Sequence, residues 1–428
     1  MLARLIEQKG GRAYYAGGYV RDLLSGINPS GIQDKDIEIF GISCSEFIHL
    51  LEPYAEARVV GKVYPLVKLR GYPEWDFTFP LRPDLSLREA CRRRDFTINA
   101  MLIDVLSGEL FDFFQGQEDL GKKVIRQTTS RVIAEDPLRA YRACRLAAQL
   151  GFSIEEQTIQ AIGQADLGAV AAERIYEELR RLLLSDHPAI GLRYMEESGL
   201  LTQVHPELYA LVDCEQSPKN HPEGSVWEHT LLVVEQASRR KDLSRDAEVF
   251  MLAALLHDIA KPLVTRQEKD KVTAYGHDTR GGPLAYRFLE QLRAPRRTAE
   301  AVADLVREHM HPVLLYKQRE QITDKAIRRL VSRIDVSELL LLAEADYCGR
   351  TLKRDFTPIK EWLTDYINRL DLSLEGGFPP VVQGRDLMAM GIPPGKDYAR
   401  LLDYAYEWQL QGCSREEILR RLEELIVR

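Results

Sequence analysis

The 428-residue sequence has no Cys-x-x-Cys pair, no long uncharged apolar run and no excess of positive charge. Its six cysteines (Cys44, Cys91, Cys144, Cys214, Cys348 and Cys413) are widely scattered, which argues against a disulfide framework. Reduced thiols in a cytoplasmic protein are the simplest account. One of the longest apolar runs, Leu339 to Ala343, is far too short to span a membrane and fits a buried helix. The N-terminal stretch Met1 to Glu7 has a charge inside it, so it reads as a short amphipathic helix and not as a signal peptide. With 58 Lys and Arg against 65 Asp and Glu, the net charge of -7 excludes a protein that coats nucleic acid indiscriminately. A local basic face remains open. Residues 121 to 145 carry seven basic against two acidic side chains, and Arg92-Arg93-Arg94 clusters upstream. Internal repeats and low-complexity tracts are also missing.

What is present suits a soluble globular chain: 45% hydrophobic and 29% charged residues, over a length that predicts two to four domains. The first part mixes strand-like and helical segments. Tyr14 to Ala16, Asp36 to Phe40, Leu66 to Leu69 and Trp75 to Phe79 alternate or are β-rich, which predicts a small mixed sheet. From about residue 130 the pattern becomes helical. A helix is expected to end at Gly151-Phe152, another covers Ala171 to Leu184, and a polar break runs from Asp213 to Gly224. The fold class is therefore α+β: a small mixed-sheet domain at the N-terminus, then an all-α body. A last break falls at Glu375 to Pro380.

The chemistry-bearing residues begin with Gly17-Gly18-Tyr19-Val20-Arg21-Asp22, followed by Asp34-Lys35-Asp36. In a strand, Asp34 and Asp36 would face the same way, and paired hard oxygens beside a glycine turn and Arg21 suit a Mg2+-nucleotide. Asp76, in the strand-like Trp75 to Phe79, is a third candidate metal carboxylate. The segment Arg93-Arg94-Asp95-Phe96-Thr97-Ile98-Asn99-Ala100-Met101 offers arginines for a triphosphate and polar groups for sugar or backbone, and its apolar residues alternate as in a buried strand or helix start. In Glu135-Asp136-Pro137-Leu138-Arg139, proline near a helix start puts Asp136 and Arg139 on one face, an acceptor and a forked donor able to read a base edge. Glu173, Arg174 and Glu178 could brace that helix by ion pairing. Read singly, each segment could equally be a cap or a solvated ion pair. Their joint order makes that reading hard to sustain.

These segments, over roughly residues 10 to 210, resemble the ordered motifs of the class II tRNA nucleotidyltransferase and poly(A) polymerase family. The resemblance implies a palm-containing head over residues 1–127 and a helical neck over 128–212 that selects CTP or ATP without a template. It further implies that Asp34 and Asp36 hold Mg2+, that Arg94 and Asp95 bind nucleotide phosphate and ribose, and that Asp136 and Arg139 pair with the incoming base. Gly18, Arg21, Asn99, Arg142, Glu173 and Arg174 would belong to the same nucleotide site. The implied reaction is in-line attack of an RNA 3'-hydroxyl on the α-phosphate, with pyrophosphate leaving. One departure stands out. Only Pro83 to Arg92 separate the strand ending near Arg82 from Arg93, where CCA-adding members carry a longer loop; shortening is associated with enzymes that add CC only.

Seven of the nine histidines fall between His205 and His311. His229, His257-Asp258, His277, His309 and Asp346 come from separate helix-like stretches, the ingredients of a one- or two-metal hydrolytic site. Their order is similar to the HD-domain phosphohydrolases, with His229, His257, Asp258 and Asp346 as core ligands and His277 and His309 as optional ones. His221 and His311 fit no required position and suit surface or supporting roles. The resemblance implies an HD domain over 213–350 that takes Mn2+, Ni2+, Fe2+ or Mg2+ and acts as phosphatase or 2',3'-cyclic phosphodiesterase on RNA ends. Residues 351–428 would form a C-terminal helical tail that binds RNA.

Together these readings predict a cytoplasmic, monomeric or dimeric enzyme with no membrane partner, adding C and, in full CCA-adding members, A to the tRNA 3' end from CTP and ATP. A poly(A) polymerase of the same family, and an HD phosphohydrolase whose inactive head only binds RNA, remain as alternatives.

Overall fold

The structure, a computed structural model, describes residues 1–28, 35–60, 66–80, 82, 84–268, 271–352 and 354–426. It divides into two compact units, Met1–Val204 and His205–Arg428. Among the described residues no helix is long and apolar enough to cross a membrane.

The first unit holds a seven-stranded sheet built from β1 (Arg12–Ala16), β2 (Lys35–Phe40), β3 (Ala57–Val60), β4 (Leu66–Leu69), β5 (Tyr72–Thr78), β6 (Met101–Asp104) and β7 (Leu110–Asp112). The spatial order is β3-β4-β5-β2-β1-β6-β7. β2 and β5 run parallel and every other neighbouring pair is antiparallel. The expected strands are all present, to within a few residues at their ends. Alternation along β2 does the sorting. Ile37 and Ile39 are buried with Phe47, Val67 and Phe77, while Asp36 and Glu38 take the other face. Burying each of those large apolar side chains contributes about 1.5–3 kcal/mol, so a one-residue register slip that exposed the set would be prohibitive.

The helix Leu138–Leu150 follows, nine of its residues buried, and ends where Gly151 adopts φ +66. That left-handed terminus is the expected glycine stop. The expected helix over Ala171 to Leu184 is Ala172–Leu183. The segment from Arg93 to Met101 departs from the reading as a buried strand or helix start. It is a turn leading to a single 3-10 turn, Thr97–Asn99, before β6 begins at Met101.

The second unit is helical, with one small hairpin that the sequence did not announce, Arg266–Glu268 paired with Lys271–Thr273. Helix Ala247–Leu256 is buried from Val249 through Leu256, which explains why its sequence is apolar on every side. No helix or strand falls in residues 213–224, in keeping with their polar, proline-containing composition. Leu339 to Ala343 lie in helix Val336–Cys348 and pack inward. The C-terminal helices gather around their own cluster of Leu387, Leu401, Ala405, Ile418 and Leu422.

His205 gives this fold a measurable pH dependence. It is fully buried against Phe288, with ring centroids 5.2 Å apart, and burial pulls its pKa from 6.5 down to about 3. Below about pH 6.5 the unfolded chain binds a proton that the folded chain refuses, so this contribution to stability falls as pH drops towards the folded pKa. Between pH 7 and pH 5 the wild type should lose about 2 kcal/mol that a His205→Gln variant retains. Urea denaturation at the two pH values measures the difference; identical losses would show that His205 is not held neutral.

Candidate active sites

In the first unit, a cavity of about 580 Å3 is lined by Gly18, Arg21, Asp36, Asn99, Arg142 and Arg145 among others. One of its lining carboxylates, Asp36, comes from the sheet. Asp36 on β2 stands in register with Asp76 on β5, and in a parallel pair such residues share a face. Asp76 is paired with Lys68 on β4 at 2.7 Å. Asp34, the other expected metal carboxylate, lies outside the described residues. Two neighbouring carboxylates fit a hard divalent cation. Gly17, at φ +64, makes the approach possible: a Cβ there would lie 2.8 Å from Asp36 Oδ2 and 3.0 Å from Arg94 Nη1. Only glycine satisfies both the backbone and the space.

The cations in and beside the cavity are held by fixed partners. Arg21 donates to Asn99 Oδ1 at 2.9 Å and pairs with Asp22 at 2.7 Å. Arg94 pairs with Glu38 at 2.7 Å. Burial pulls the Arg94 pKa down, but Glu38, Cys91 and Asp36 together hold it above its ordinary value. Asp95 is buried and accepts from Asn99 at 3.1 Å and from the Phe96 N–H at 2.8 Å, while Arg142 lies 2.9 Å away. Burial raises the Asp95 pKa, yet Arg142 and these hydrogen bonds bring it below the usual carboxylate range. Arg94 and Asp95 therefore point into different networks, and the second is an internal brace.

The pair Asp136 and Arg139 differs from its expected geometry. Asp136 caps the short helix Val132–Glu135 in an extended conformation, outside the helix that carries Arg139. Arg139 spends its guanidinium on the carbonyls of Val132 (3.0 Å) and Arg93 (2.9 Å). They do not share one helical face; proline begins the helix only after Asp136. Of the expected bracing residues, Glu178 binds the buried Arg145 at 2.6 Å, Arg174 approaches Asp136 at 3.7 Å on the surface, and Glu173 is exposed. Sequence reading missed Glu38 and Arg145. Glu38 was legible as the residue two beyond Asp36 on the same strand face; Arg145 had no signal apart from its helical spacing after Arg142.

The second unit assembles all six expected metal residues. His229 lies within helix Val226–Ser238, His257-Asp258 follow helix Ala247–Leu256, and His277 opens helix His277–Gln291. His309 closes helix Arg296–Glu308, and Asp346 lies in helix Val336–Cys348. Ligand atoms of His229, His257 and Asp346 lie within 4.8 Å of one another, as do those of Asp258, His277 and His309. His257, His277 and His309 each direct Nδ1 to the carbonyl three residues earlier (Ala254 at 2.8 Å, Ala274 at 2.7 Å, Val306 at 2.7 Å). That leaves Nε2 as the coordinating atom, and metal-bound histidines are usually oriented by such a bond from the other ring nitrogen. His257 Nε2 is buried and lies 3.1 Å from Asp258 Oδ2. The donor set therefore fits a divalent metal.

Three charged neighbours escaped the sequence reading. Lys261 reaches Asp258 at 2.6 Å and donates to Gln216 at 2.7 Å, and Arg350 approaches Asp346 at 3.3 Å. Burial raises the pKa of both aspartates, but these cations and the adjacent histidines hold them well below the usual range. Glu223 contacts His229 Nδ1 at 3.0 Å and His221 at 2.9 Å, which gives His221 a supporting place beside the site. His311 instead pairs with Glu308, 3.0 Å away. Lys261 and Arg350 stand three and four residues after the aspartates, a spacing that could have flagged them; Glu223 acts across an irregular turn and left no periodic trace.

Comparison with known proteins gives matches in both parts of the chain. Residues 74–126 match the family described as "Poly A polymerase head domain", 151–211 the "Probable RNA and SrmB- binding site of polymerase A", and 226–351 the "HD domain". A CC-adding tRNA nucleotidyltransferase of Thermus thermophilus is 34% identical over 423 residues, covering 94% of this chain and 90% of its own. A multifunctional CCA protein of Alkalilimnicola ehrlichii is 32% identical over 363 residues, covering 79% and 84%. The fold resembles that of the Thermotoga maritima CCA-adding enzyme solved with tRNA, at TM-score 0.62 and 20% identity, over 99% of this chain and 94% of that one. The chain belongs to the tRNA nucleotidyltransferase and poly(A) polymerase family, as a nucleotidyltransferase that carries an HD domain.

Proposed function

We propose that the first unit adds cytidines to the 3' end of tRNA from CTP, and that the HD domain removes phosphate or opens 2',3'-cyclic phosphate at RNA ends. One observation carries the first part: Asp36, Arg21 and Arg142 line one cavity, with Asp76 in register beside Asp36 and Arg94 against Gly17. Asp34 and Asp36, with Asp76, would hold Mg2+, which supplies Lewis acidity at the α-phosphate and lowers the pKa of the attacking hydroxyl. Arg94 and Arg21 neutralise the triphosphate, and Arg142 extends that cationic wall. Asp136 and Arg139 remain the proposed base readers; Arg139 must exchange a backbone carbonyl for the base, so selection would require the short Val132–Glu135 helix to shift. The 3'-oxygen bonds to the α-phosphorus as the bond to pyrophosphate breaks. The six free thiols suit the reducing cytoplasm, where we place the enzyme.

The product is proposed to stop at CC. β5 ends at Thr78 and helix Leu87–Arg92 runs directly into Arg93, which leaves little chain for a loop to reshape the site for ATP. The relative that covers 94% of this chain is a CC-adding enzyme. On a tRNA lacking its three terminal nucleotides, CTP alone should yield two added cytidines, and ATP should then add nothing. A complete CCA end with both nucleotides would overturn the CC assignment, and ATP-only tailing would favour a poly(A) polymerase.

At the HD site, the two ligand triads would bind divalent metal, for which Mn2+, Ni2+, Fe2+ and Mg2+ are the proposed candidates. Such an ion supplies Lewis acidity to the phosphoryl group and acidifies water. Lys261 and Arg350 would then steady the phosphate oxygens. Asp36→Ala should lower cytidine addition by at least about 100-fold while sparing phosphate release, and His257→Ala should do the reverse. Parallel assays on one preparation of each variant, with a chelator control, check this. Loss of both activities in either variant would argue against two independent sites.

A further inference from the structure

Tyr275 has no packing role that accounts for its position. It is 87% exposed, yet it lines the same cavity of about 330 Å3 as Asp258, His277, His309 and Asp346. Single exposed aromatics are common on protein surfaces, so exposure alone carries nothing. Two further observations decide the matter.

The first is that the backbone fixes where Tyr275 stands. On one side the strand Lys271–Thr273 is paired in the hairpin. On the other, Gly276 turns at φ +76 directly into the helix that starts at His277, and the His277 ring donates to the Ala274 carbonyl at 2.7 Å. Tyr275 is thus the middle of a turn whose two ends are tied together by one of the proposed metal ligands. The second observation is chemical. Lys261 and Arg350 line the cavity as cations, and Arg350 Nε is buried without a hydrogen-bond partner. An aromatic face and a cationic floor in one cavity match the two ends of a nucleotide: base on the ring, phosphate on the cations.

We propose that Tyr275 is a base-stacking platform of the HD cavity, and that the cavity selects phosphoesters carrying a nucleobase over phosphoesters without one. This rests on the phosphohydrolase reading above. The volume lies at the small end of ligand sites, which run from about 300 to 1,000 Å3, and so suits one terminal nucleotide of an RNA. Because every base has a π-face, stacking tolerates all four bases. Tyr275 is a positioning residue: it holds the ligand and takes no part in bond making.

The test uses the full-length protein loaded with Mn2+, as wild type, Tyr275→Ala and Tyr275→Trp. Hydrolysis is followed on adenosine 2',3'-cyclic phosphate and on glycerol 2-phosphate, and equilibrium dialysis measures binding of adenosine 2'-monophosphate and inorganic phosphate. Tyr275→Ala should raise KM for the adenosine substrate and weaken adenosine 2'-monophosphate about tenfold, with kcat, glycerol 2-phosphate and inorganic phosphate unchanged. Tyr275→Trp should restore both. Unchanged adenosine binding in Tyr275→Ala, or an equal loss for inorganic phosphate, overturns the proposal. If the wild type hydrolyses nothing, the phosphohydrolase reading fails separately, while dialysis still decides whether Tyr275 holds a nucleotide.

Discussion

The alternation of a single strand governs the first unit. On β2, Ile37 and Ile39 secure the sheet to its core, and the intervening Asp36 and Glu38 are thereby committed to the opposite face. The hydrophobic gain that fixes the register also fixes the carboxylates, so the site cannot drift without unburying the core. Parallel pairing with β5 then brings Asp76 beside Asp36. Glu38 carries the constraint one layer further by holding Arg94 against the glycine turn.

Charge burial imposes a similar discipline on both sites. A buried guanidinium or carboxylate costs several kcal/mol unless a partner offsets it. The cations named in and beside the first cavity have such partners: Arg21 with Asn99 and Asp22, Arg94 with Glu38, Arg145 with Glu178, and the half-exposed Arg142 with the buried Asp95. The second site repeats the device with opposite emphasis, as Lys261 and Arg350 favour the ionised forms of Asp258 and Asp346, the proposed metal carboxylates. Groups ordered before the ligand arrives need not be ordered by it, which is where preorganisation gains affinity.

How much of this was legible depends on the length scale of the signal. Strand alternation and helical periodicity revealed four of the seven strands and a minority of the helices, and the His-Asp spacing revealed every proposed HD ligand. The turn from Arg93 to Met101 was misread as regular structure because its apolar residues are buried, and burial alone does not specify backbone geometry. Asp136 was placed on the helix of Arg139 because proline marks a helix start, yet the chain begins that helix one residue too late for Asp136 to join it. Partners that meet only in three dimensions, such as Glu223 with His229 or Lys68 with Asp76, leave no mark on a single sequence.

The two proposed chemistries are linked through one atom of the substrate. Nucleotide addition requires a 3'-oxygen that still carries a proton to lose. In a 2',3'-cyclic phosphate that oxygen is already bonded to phosphorus, and in a 3'-phosphate it is esterified, so neither end can attack. Hydrolysis of the cyclic ester consumes one water and frees one of the two oxygens; removal of a remaining phosphate from the 3' position frees the nucleophile. A chain that repairs the end and extends it therefore needs a site for each reaction, and the two place opposing demands on their surroundings. The transferase site must bind a triphosphate yet keep water from competing with the 3'-hydroxyl. The hydrolase site must admit water to the phosphorus. With the carboxylates of one on a sheet and the proposed ligands of the other on and beside helices of a separate unit, each can be dry or wet as its chemistry requires.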